Sequence, residues 1–466
     1  MPHRPASADG PSVDELDSVA QLIRSVMETS PRDLGLDFSE GSTSQMVYTR
    51  GVTLWMLILQ RLGGGQTLDE IVSHIVGDAR DLLPNNKRVR ERTLSENSGA
   101  YSRARKRLSL DFILAFSLRV CQYLGQISEP FCEGRRAFLI DGTTITLPPT
   151  AALRKAYPPA PNQHGESVWP VAQLMIASEL QSGCAMLPQI DPMYGENNAS
   201  EALQARRILE QLPARSIVLA DSGFGIYSVA YHAARCGHSF LFRLTGVRFK
   251  ALRRYAELID KGPTHETYRW QWTPSVKDRR SYPELPADAS LDVLVHEVRI
   301  PGDKSLYLVS NLDWDGPTAA TAYQRRYDVE FDIRDLKVTM DVENIRAKSV
   351  EMFQKELYTS IVAYNLAMQF RRQAAKLAGV QPRRLRFKGV WTTLKHRLLL
   401  KPSCSLAEWL ERYDEALAVA AKKKHPQRKQ PRDYPRKAHT RRQKSTKFMK
   451  ALRKKNDSEP PSTAPK

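Results

Sequence analysis

The sequence has few cysteines, and none of them is paired at a spacing that binds a metal. The five are scattered singly, as Cys121, Cys132, Cys184, Cys236 and Cys404. Structural zinc sites and disulfide frameworks need closely paired cysteines such as CxxC, so the sequence argues against both. Scattered single thiols fit a reducing compartment, and we expect a cytoplasmic protein.

Long hydrophobic runs are also missing. The longest run near the N-terminus, VTLWMLILQRL from Val52, is interrupted too soon to span a bilayer. The first residues, MPHRPASADGPSVDEL, lack the charged and then apolar layout of a secretory signal. We therefore expect neither a leader peptide nor a membrane partner.

Acidic residues are too few to balance the basic ones. The chain has 51 Asp and Glu against 70 Lys and Arg, a formal net charge of +19. Such a protein attracts polyanions, and nucleic acid is the expected partner. Residues 421–466 hold 17 Lys or Arg and three acidic residues. We expect them to form a disordered arm that binds phosphates, with a solubilising tail as the alternative.

The apolar pattern changes from helical to mixed along the chain. From about 44 to 126, apolar residues recur every three or four positions, which predicts a helical region. Strand signals start near 136, first in hairpin order and then alternating with helices. This order predicts a mixed α/β sheet covered by helices. A broken, β-like pattern spans about 246–315, and an amphipathic helical region follows from about 319 to 379.

A basic cluster precedes an apolar stripe in the N-terminal helical region. It consists of Arg103, Arg105, Lys106 and Arg107. On a small helical domain such a cluster can bind the DNA backbone. The alternative is a solvated helix face without a partner.

Two aspartates follow apolar strand signals in the same manner. FLIDGTT contains Asp141 and VLADSGFG contains Asp221, each followed by a glycine within two residues. We expect each strand to end at its aspartate, at the carboxyl edge of the sheet, where open α/β sheets bind ligands. Two carboxylates side by side need a cation, and hard oxygen ligands suit Mg²⁺. Either residue alone is also explained as a turn-forming aspartate.

A third acidic residue lies in a predicted helix among ordered polar neighbours. Tyr323, Arg326, Glu330 and Lys337 follow one another at intervals of three, four and seven. At about 100° per residue they share one helix stripe. A carboxylate between two cations suits a metal site beside phosphates. An exposed face carrying an Arg326–Glu330 ion pair is the alternative.

The spacing of these four residues, Y-x2-R-x3-E-x6-K, resembles the signature of bacterial insertion-sequence transposases of the IS-four type. These proteins belong to the DDE superfamily, whose catalytic core is RNase H-like. FLIDGTTITLP and VLADSGFG are similar to the segments that carry the family's two catalytic aspartates. The stretches GENNASEA, ENIRAKSVEMFQKELYTSIVAYNLAMQFRRQ, TLWMLILQRL and GAYSRARKRL also resemble the family. The resemblance covers about 44–390.

The resemblance implies an RNase H-like mixed α/β sheet with a β-strand insertion, preceded by a helical domain and followed by helices and a basic tail. The implied segments are a polar, flexible N-terminus at 1–43, a helical N-terminal DNA-binding domain at 44–128, a catalytic domain at 129–390 with its β insertion at about 246–315, C-terminal helices at 391–420 and a disordered basic tail at 421–466.

The resemblance also implies roles for single residues. The catalytic, metal-binding residues would be Asp141, Asp221 and Glu330. The residues that position phosphates of the DNA ends would be Tyr323, Arg326 and Lys337. Ser222 departs from the family, because many relatives carry an arginine directly after the second aspartate. Arg243 is the expected substitute. For an aromatic side chain that stacks on a flipped base, the candidates are Trp270, Trp272 and Tyr307.

The implied activity is DNA transposition, a recombination reaction of a mobile genetic element. Two Mg²⁺ (or Mn²⁺) ions about 4 Å apart would serve strand cleavage and strand transfer at the ends of an insertion sequence. The implied partners are double-stranded DNA, as terminal inverted repeats and as target, and a second copy of the chain on that DNA. The implied location is the cytoplasm of a bacterium, at the nucleoid.

Three other functions were weighed against this one. DGTT also occurs in the nucleophile loop of haloacid-dehalogenase-like phosphatases, but that loop needs an aspartate two residues earlier, where this chain has Leu139. A catalytically degenerate DNA-binding protein of the same fold and a hydrolytic RNase H-like nuclease remain as alternatives.

Overall fold

The computed structural model describes residues 46–78, 80, 83–162, 165–301, 304–399 and 406–426. The predictions for residues 1–43 and for the tail beyond 426 fall outside this part of the chain. The described residues up to His425 form one compact unit. The second unit, Pro426–Lys466, lies outside the described residues except for its first one.

The described strands form one mixed sheet. They are β1 (Ala137–Thr146), β2 (Pro159–Asn162), β3 (Gly165–Glu179), β4 (Gln189–Pro192), β5 (Ile217–Ala220), β6 (Ser239–Arg243), β7 (Glu257–Lys261), β8 (His265–Trp272), β9 (Leu291–Ile300) and β10 (Lys304–Ser310). Their order is β2-β3-β1-β5-β6-β10-β9-β8-β7, and β4 also pairs with β3. The β1–β5 and β5–β6 pairs are parallel, and the others are antiparallel. The predicted mixed α/β sheet is confirmed.

Helices surround this sheet. The described α-helices are α1 (Arg50–Leu62), α2 (Leu68–Gly77), α3 (Lys87–Arg90), α4 (Gly99–Arg107), α5 (Leu110–Gln126), α6 (Ala151–Ala156), α7 (Glu201–Leu209), α8 (Tyr227–Arg235), α9 (Gly246–Arg253), α10 (Val276–Ser281), α11 (Gly316–Gln324), α12 (Asp328–Arg334), α13 (Val350–Leu377), α14 (Phe387–Leu394) and α15 (Leu406–Ala421). Most begin at a side-chain cap, as at Thr67, where a capping box with Glu70 starts α2.

The central strands are buried on both faces. Along β1, Phe138 and Ile140 pack with residues of α7 and α8, whereas Ala137 and Leu139 pack with residues of α11. Side chains of a strand alternate between the two faces. A strand covered on both sides therefore needs an unbroken apolar run, which AFLI supplies. The same alternation sends residue 141 to the face that α11 covers.

Strand β1 does not end at Asp141, so that prediction was wrong. Its antiparallel pairing with β3 runs on to Thr146, and Asp141 lies opposite Ile176. Its parallel pairing with β5, however, ends at Leu139 opposite Leu219. Asp141 therefore lies where β1 loses one neighbour and keeps the other, which opens one side of the strand. Asp221 follows the last residue of β5, as predicted.

The strands of the predicted β insertion extend the central sheet. The region at about 246–315 contains α9, α10 and β7 to β10. Its last strand, β10, pairs with β6, and β9, β8 and β7 follow outward in that order. Within the described residues, no single helix is long and apolar enough to span a membrane. The bent pair Gly99–Arg107 and Leu110–Gly125 meets the length and composition criteria only when counted together, across a 78° bend.

The N-terminal helices share their core with α13, a 28-residue helix. Trp55 of α1 and Phe116 of α5 pack edge to face at 5.9 Å and are almost fully buried. Below them, Glu356 of α13 accepts hydrogen bonds from both Arg61 and Arg105. These three charges are buried together. The ion cluster therefore joins α1 and α4 to the helix that follows α12.

We predict that Glu356→Ala destabilises the protein by about 3–5 kcal/mol, because it leaves two buried guanidinium groups without an anion. The measurement is the melting temperature, followed by scanning calorimetry. Glu415→Ala is the control, since the Glu415–Arg397 pair is exposed and 3.7 Å long and is worth at most about 1 kcal/mol. Equal melting temperatures for the two variants would contradict the structural role of the cluster.

Candidate active site

Asp141 and Asp221 lie on the same face of the sheet. Leu139 and Leu219 are paired across the parallel strands, and both belong to the apolar cluster that includes α11. Side chains two residues apart along an extended chain point to the same face, so Asp141 and Asp221 lie on that face as well. Both side chains are partly exposed. The end of the parallel ladder thus presents two carboxylates beside the helical segment that follows β10.

A backbone N–H from a nearby glycine holds each aspartate. The N–H of Gly142 donates to Asp141 Oδ1 at 2.8 Å, and that of Gly223 donates to Asp221 Oδ1 at 2.8 Å. The loop after Asp221 also needs a glycine at 225. A Cβ there would lie 2.1 Å from the carbonyl oxygen of Arg243, which no side chain tolerates.

The third acidic residue comes from a helical segment that changes its type three times. After α11 it passes through a 3₁₀ turn at Arg325–Tyr327, continues as α12 and ends in a π-helical turn at Asp335–Thr339. The prediction of one regular helix stripe was therefore too simple. Mid-helix 3₁₀ and π turns shift the angular position of the residues beyond them and are frequent at functional sites.

Arg326 lies between two of the acidic residues. Its Nη2 donates to Glu330 Oε1 at 2.7 Å, and its Nη1 is 3.8 Å from Asp141 Oδ2. The arginine side chain is only 11 % exposed, while that of Glu330 is 54 % exposed. The i, i+4 pair of an exposed helix face is therefore present, but it also reaches across to β1. This contact joins the helical segment to the strand that carries Asp141.

Lys337 is bound to the same strand. Its Nζ donates to the carbonyl oxygen of Thr144 at 2.8 Å and lies 3.2 Å from Thr143 Oγ1. The π-helical turn brings the lysine to residues two and three positions beyond Asp141. The structure thus brings this residue of the predicted signature to the edge of the acidic site.

Tyr323 is the innermost member of the predicted signature. It is 5 % exposed, and its hydroxyl has no hydrogen-bond partner among the residues that the structure describes. Burial raises the pKa of this hydroxyl, while the nearby charges of Arg326 and Arg243 lower it and that of Asp221 raises it. Arg243 therefore lies close enough to Tyr323 for its charge to act on this hydroxyl.

The electrostatics show how close the acidic residues are. The pKa of Asp141 is raised to about 6, mainly by burial and also by the negative charges of Asp221 and Glu330, while the Gly142 N–H lowers it. The Arg326 guanidinium opposes them. A carboxyl that feels two other carboxylates and one cation lies in a cluster that favours binding of positive charge.

Residues 133–366, half of the chain, match the family model of the transposase DDE domain. The chain belongs to this family. Transposases of this family act on DNA, in agreement with the excess of basic residues. The matched range includes Asp141, Asp221 and Glu330. Among curated proteins, none matches the sequence significantly.

The acidic residues of this transposase fit divalent cations by their chemistry. In the described part of the chain, no three His, Cys, Asp or Glu side chains are grouped tightly enough to hold a metal ion. The guanidinium of Arg326 lies between Asp141 and Glu330 and contacts both. Carboxylate oxygens are the ligands that Mg²⁺ and Mn²⁺ prefer. Arg326 is thus the positive charge that these two carboxylates share.

Sequence reasoning missed Arg248. This residue of α9 donates from Nη1 to the carbonyl oxygens of Ser222, at 2.7 Å, and Gly225, at 3.2 Å. It therefore holds the loop that carries Asp221. No spacing pattern pointed to Arg248, because it lies 26 residues beyond Ser222 along the chain.

The structure separates the predicted N-terminal DNA contacts. Arg103 and Lys106 are exposed on α4 and remain candidates. Arg105 is 6 % exposed and donates to Glu356, so its prediction as a DNA contact was wrong. On a helix, residue 105 faces inward because neighbours 101 and 104 belong to the buried stripe.

The aromatic candidates for base stacking are placed differently from one another. Trp272 is 6 % exposed and packs edge to face on Tyr227 at 5.5 Å, so it is a core residue. Tyr307 is stacked on Phe249 at 4.3 Å. Trp270 is partly buried beside Trp272. None of the three is a freely exposed ring.

We predict that Asp141→Asn stabilises the metal-free transposase at neutral pH by about 1–2 kcal/mol, after allowance for partial exposure. The folded-state pKa of Asp141, about 6, is above the ordinary 3.8. The wild type therefore loses stability as the pH rises from about 4 to 6, where the unfolded chain has already released the proton. The variant lacks this loss.

The measurement is the melting temperature in chelator from pH 4 to pH 8. The difference between variant and wild type should be near zero at pH 4 and largest above pH 6. Asp292→Asn, at an exposed aspartate of β9, serves as control. A difference that is independent of pH would show that Asp141 is not in a like-charge cluster.

Proposed function

We propose that this chain is an insertion-sequence transposase of the IS-four type, which performs metal-dependent strand cleavage and strand transfer at the element's ends. The observation that carries the proposal is the convergence of Asp141 and Glu330 on Arg326, with Asp221 close enough to act on the Asp141 charge. All of these residues lie in the range that matches the transposase family.

Three side chains would hold the metal ions: Asp141, Asp221 and Glu330. Two Mg²⁺ or Mn²⁺ ions bound there would supply an activated hydroxyl nucleophile and charge neutralisation at the phosphodiester. The protein's own contribution is orientation. The glycine N–H groups hold both aspartates, and Arg248 holds the loop that carries Asp221. Such support keeps reacting groups within the narrow limits that phosphoryl transfer needs.

The cations around the acidic site are suited to DNA phosphates. Arg326 and Lys337 flank Glu330, and Arg243 lies near Tyr323 and is exposed. A guanidinium binds phosphate in a bidentate manner, whereas an ammonium acts as a point charge. The buried Tyr323 hydroxyl is available as a further donor. The proposed role of these residues is to position the terminal phosphodiester.

Recognition of the element's ends is assigned to the N-terminal helices, where Arg103 and Lys106 are exposed. Two DNA ends have to be held for transposition, so we propose a homodimer that forms on terminal inverted repeats. Action on bacterial DNA places the protein in the cytoplasm, at the nucleoid.

We predict that Asp141→Ala, Asp221→Ala and Glu330→Ala each lower strand transfer by roughly a thousandfold or more, because each removes a metal ligand. The substrate is a plasmid that carries the DNA flanking the coding region, incubated with Mg²⁺. Binding of the same DNA, measured by mobility shift, should remain. Asp292→Ala, which removes an exposed carboxylate elsewhere, should retain full activity.

The products distinguish this proposal from its two alternatives. Joined products with the wild type and none with the three variants support a transposase. Hydrolysis without joining would identify a nuclease, and binding without either would identify a degenerate DNA-binding protein. Each of the last two results contradicts strand transfer.

We predict that Arg326→Gln raises the Mn²⁺ affinity of the DNA-free protein by about tenfold, because it removes a positive charge from between two ligands. The measurement is isothermal titration calorimetry, with a readout independent of catalysis. Arg325→Gln is the matched control: this neighbour pairs with Asp328 at 2.8 Å instead. Unchanged or weaker Mn²⁺ binding in Arg326→Gln would show that Arg326 does not compete with the metal.

A further inference from the structure

A second charged region lies against α12, beside the acidic site. It is a cleft of about 810 Å³ between α12, α13, α14 and α15. Seven arginines and lysines line it, together with three aspartates and two histidines. We call it the cationic cleft and define it by Arg334, Arg371, Arg383, Arg386, Lys388 and Lys423. It includes none of the proposed metal ligands.

All three aspartates of the cationic cleft are paired with arginines, Asp335 with Arg334 at 3.9 Å. Asp332 binds Arg383 through both oxygens, at 2.7 and 2.8 Å. Asp328 lies 2.8 Å from Arg325 and 3.3 Å from Arg383. Ion pairs of this kind neutralise the negative charge of these aspartates. The acidic residues of the cleft therefore do not neutralise its remaining arginines and lysines.

Three cations of the cationic cleft lack an anionic partner among the described residues. They are Arg386, Lys388 and Lys423, and Arg386 and Lys388 are exposed. The pKa of His425, which also lines the cleft, indicates the same excess of positive charge. Burial, and after it the positive charges of Arg371, Arg386, Arg384 and Arg334, lower the pKa of His425. A concave surface with such an excess of positive charge attracts anions.

An exposed aromatic ring lies at the mouth of the cleft. Phe331 of α12 is 51 % exposed, and the guanidinium of Arg334 lies 4.9 Å from the centre of its ring. Exposed rings beside cations are typical of surfaces that bind nucleic-acid strands, where the ring contacts bases or sugars. Inorganic phosphate has no apolar part that could contact such a ring.

We propose that the cationic cleft binds the phosphodiester backbone of the DNA that extends beyond the reacting phosphodiester. Glu330 and Phe331 are consecutive residues of α12, so the acidic site and the cleft lie on adjoining sides of one helix. A helix is about 10–12 Å wide, and phosphates of one strand are about 3.4 Å apart along the axis. The cleft therefore holds phosphates about three or four nucleotides from the acidic site. This inference rests on the proposed function.

The test uses the full chain carrying Arg386→Gln, Lys388→Gln and Lys423→Gln together. Fluorescence anisotropy measures its binding to two end duplexes, one that stops two base pairs beyond the reacting phosphate and one that continues for ten. We expect about tenfold or greater loss of affinity for the long duplex and a salt dependence reduced by two to three ions. Affinity for the short duplex should change less than twofold.

The matched control removes three other exposed cations: Lys155→Gln, Arg215→Gln and Arg235→Gln. It has the same change of charge and should leave both affinities within twofold. The single variant Lys388→Glu, at an exposed position, is a second probe if the triple variant unfolds on heating below the wild type. It should lower long-duplex affinity severalfold.

The outcomes separate this inference from the proposed function. If the wild type transfers strands but the triple variant binds both duplexes as well as the control does, the cleft proposal is overturned and the function stands. Selective loss for an RNA duplex, with DNA binding retained, also overturns it. If the wild type binds no DNA at all, the proposed function itself fails.

Discussion

The acidic site depends on one electrostatic constraint: carboxylates that repel one another are kept together by a cation. In the free protein this cation is the guanidinium of Arg326, which bonds to Glu330 and lies 3.8 Å from Asp141. Without a cation the repulsion would raise the cost of folding at neutral pH. The constraint explains why a largely buried arginine lies between two of the acidic residues.

The rigid parts of the fold hold this cluster in place. The two aspartates stand where the parallel ladder of β1 and β5 ends, and the antiparallel partner β3 continues to support β1. Glu330 depends instead on how the helical segment is anchored. Its far end leads into α13, which is locked to the N-terminal helices by the buried pair of arginines on Glu356. A static scaffold of this kind keeps catalytic groups precisely spaced at little entropic cost.

The charges of the chain are divided between two sides of α12. On one side lie the three acidic residues, two of which share Arg326. On the other side the aspartates are paired with arginines, and further arginines and lysines remain without an acidic partner among the described residues. A helix with an acidic metal site on one side and a cationic cleft on the next can address two features of one DNA molecule. In the proposed DNA complex, the reacting phosphodiester lies at the acids and the adjoining backbone lies in the cleft.

Much of the fold and part of the site could be predicted from local patterns. The unbroken apolar runs at 137–140 and 217–220 indicated central strands, and the order of elements indicated a mixed sheet. The acidic residues could be chosen because each stands beside an apolar run or within an ordered polar helix. These signals are local: alternation and helical periodicity depend on a few neighbouring residues.

The sequence by itself determined which residue types are available, their strand and helix parity, and therefore the face on which Asp141 and Asp221 lie. Only the tertiary structure decided that β1 continues past Asp141, that Arg105 is buried against Glu356, and that Arg248 supports the loop of Asp221. Each of these depends on contact between segments distant along the chain. Such contacts are set by packing and by the pairing of buried charges, which leave no periodic trace in a single sequence.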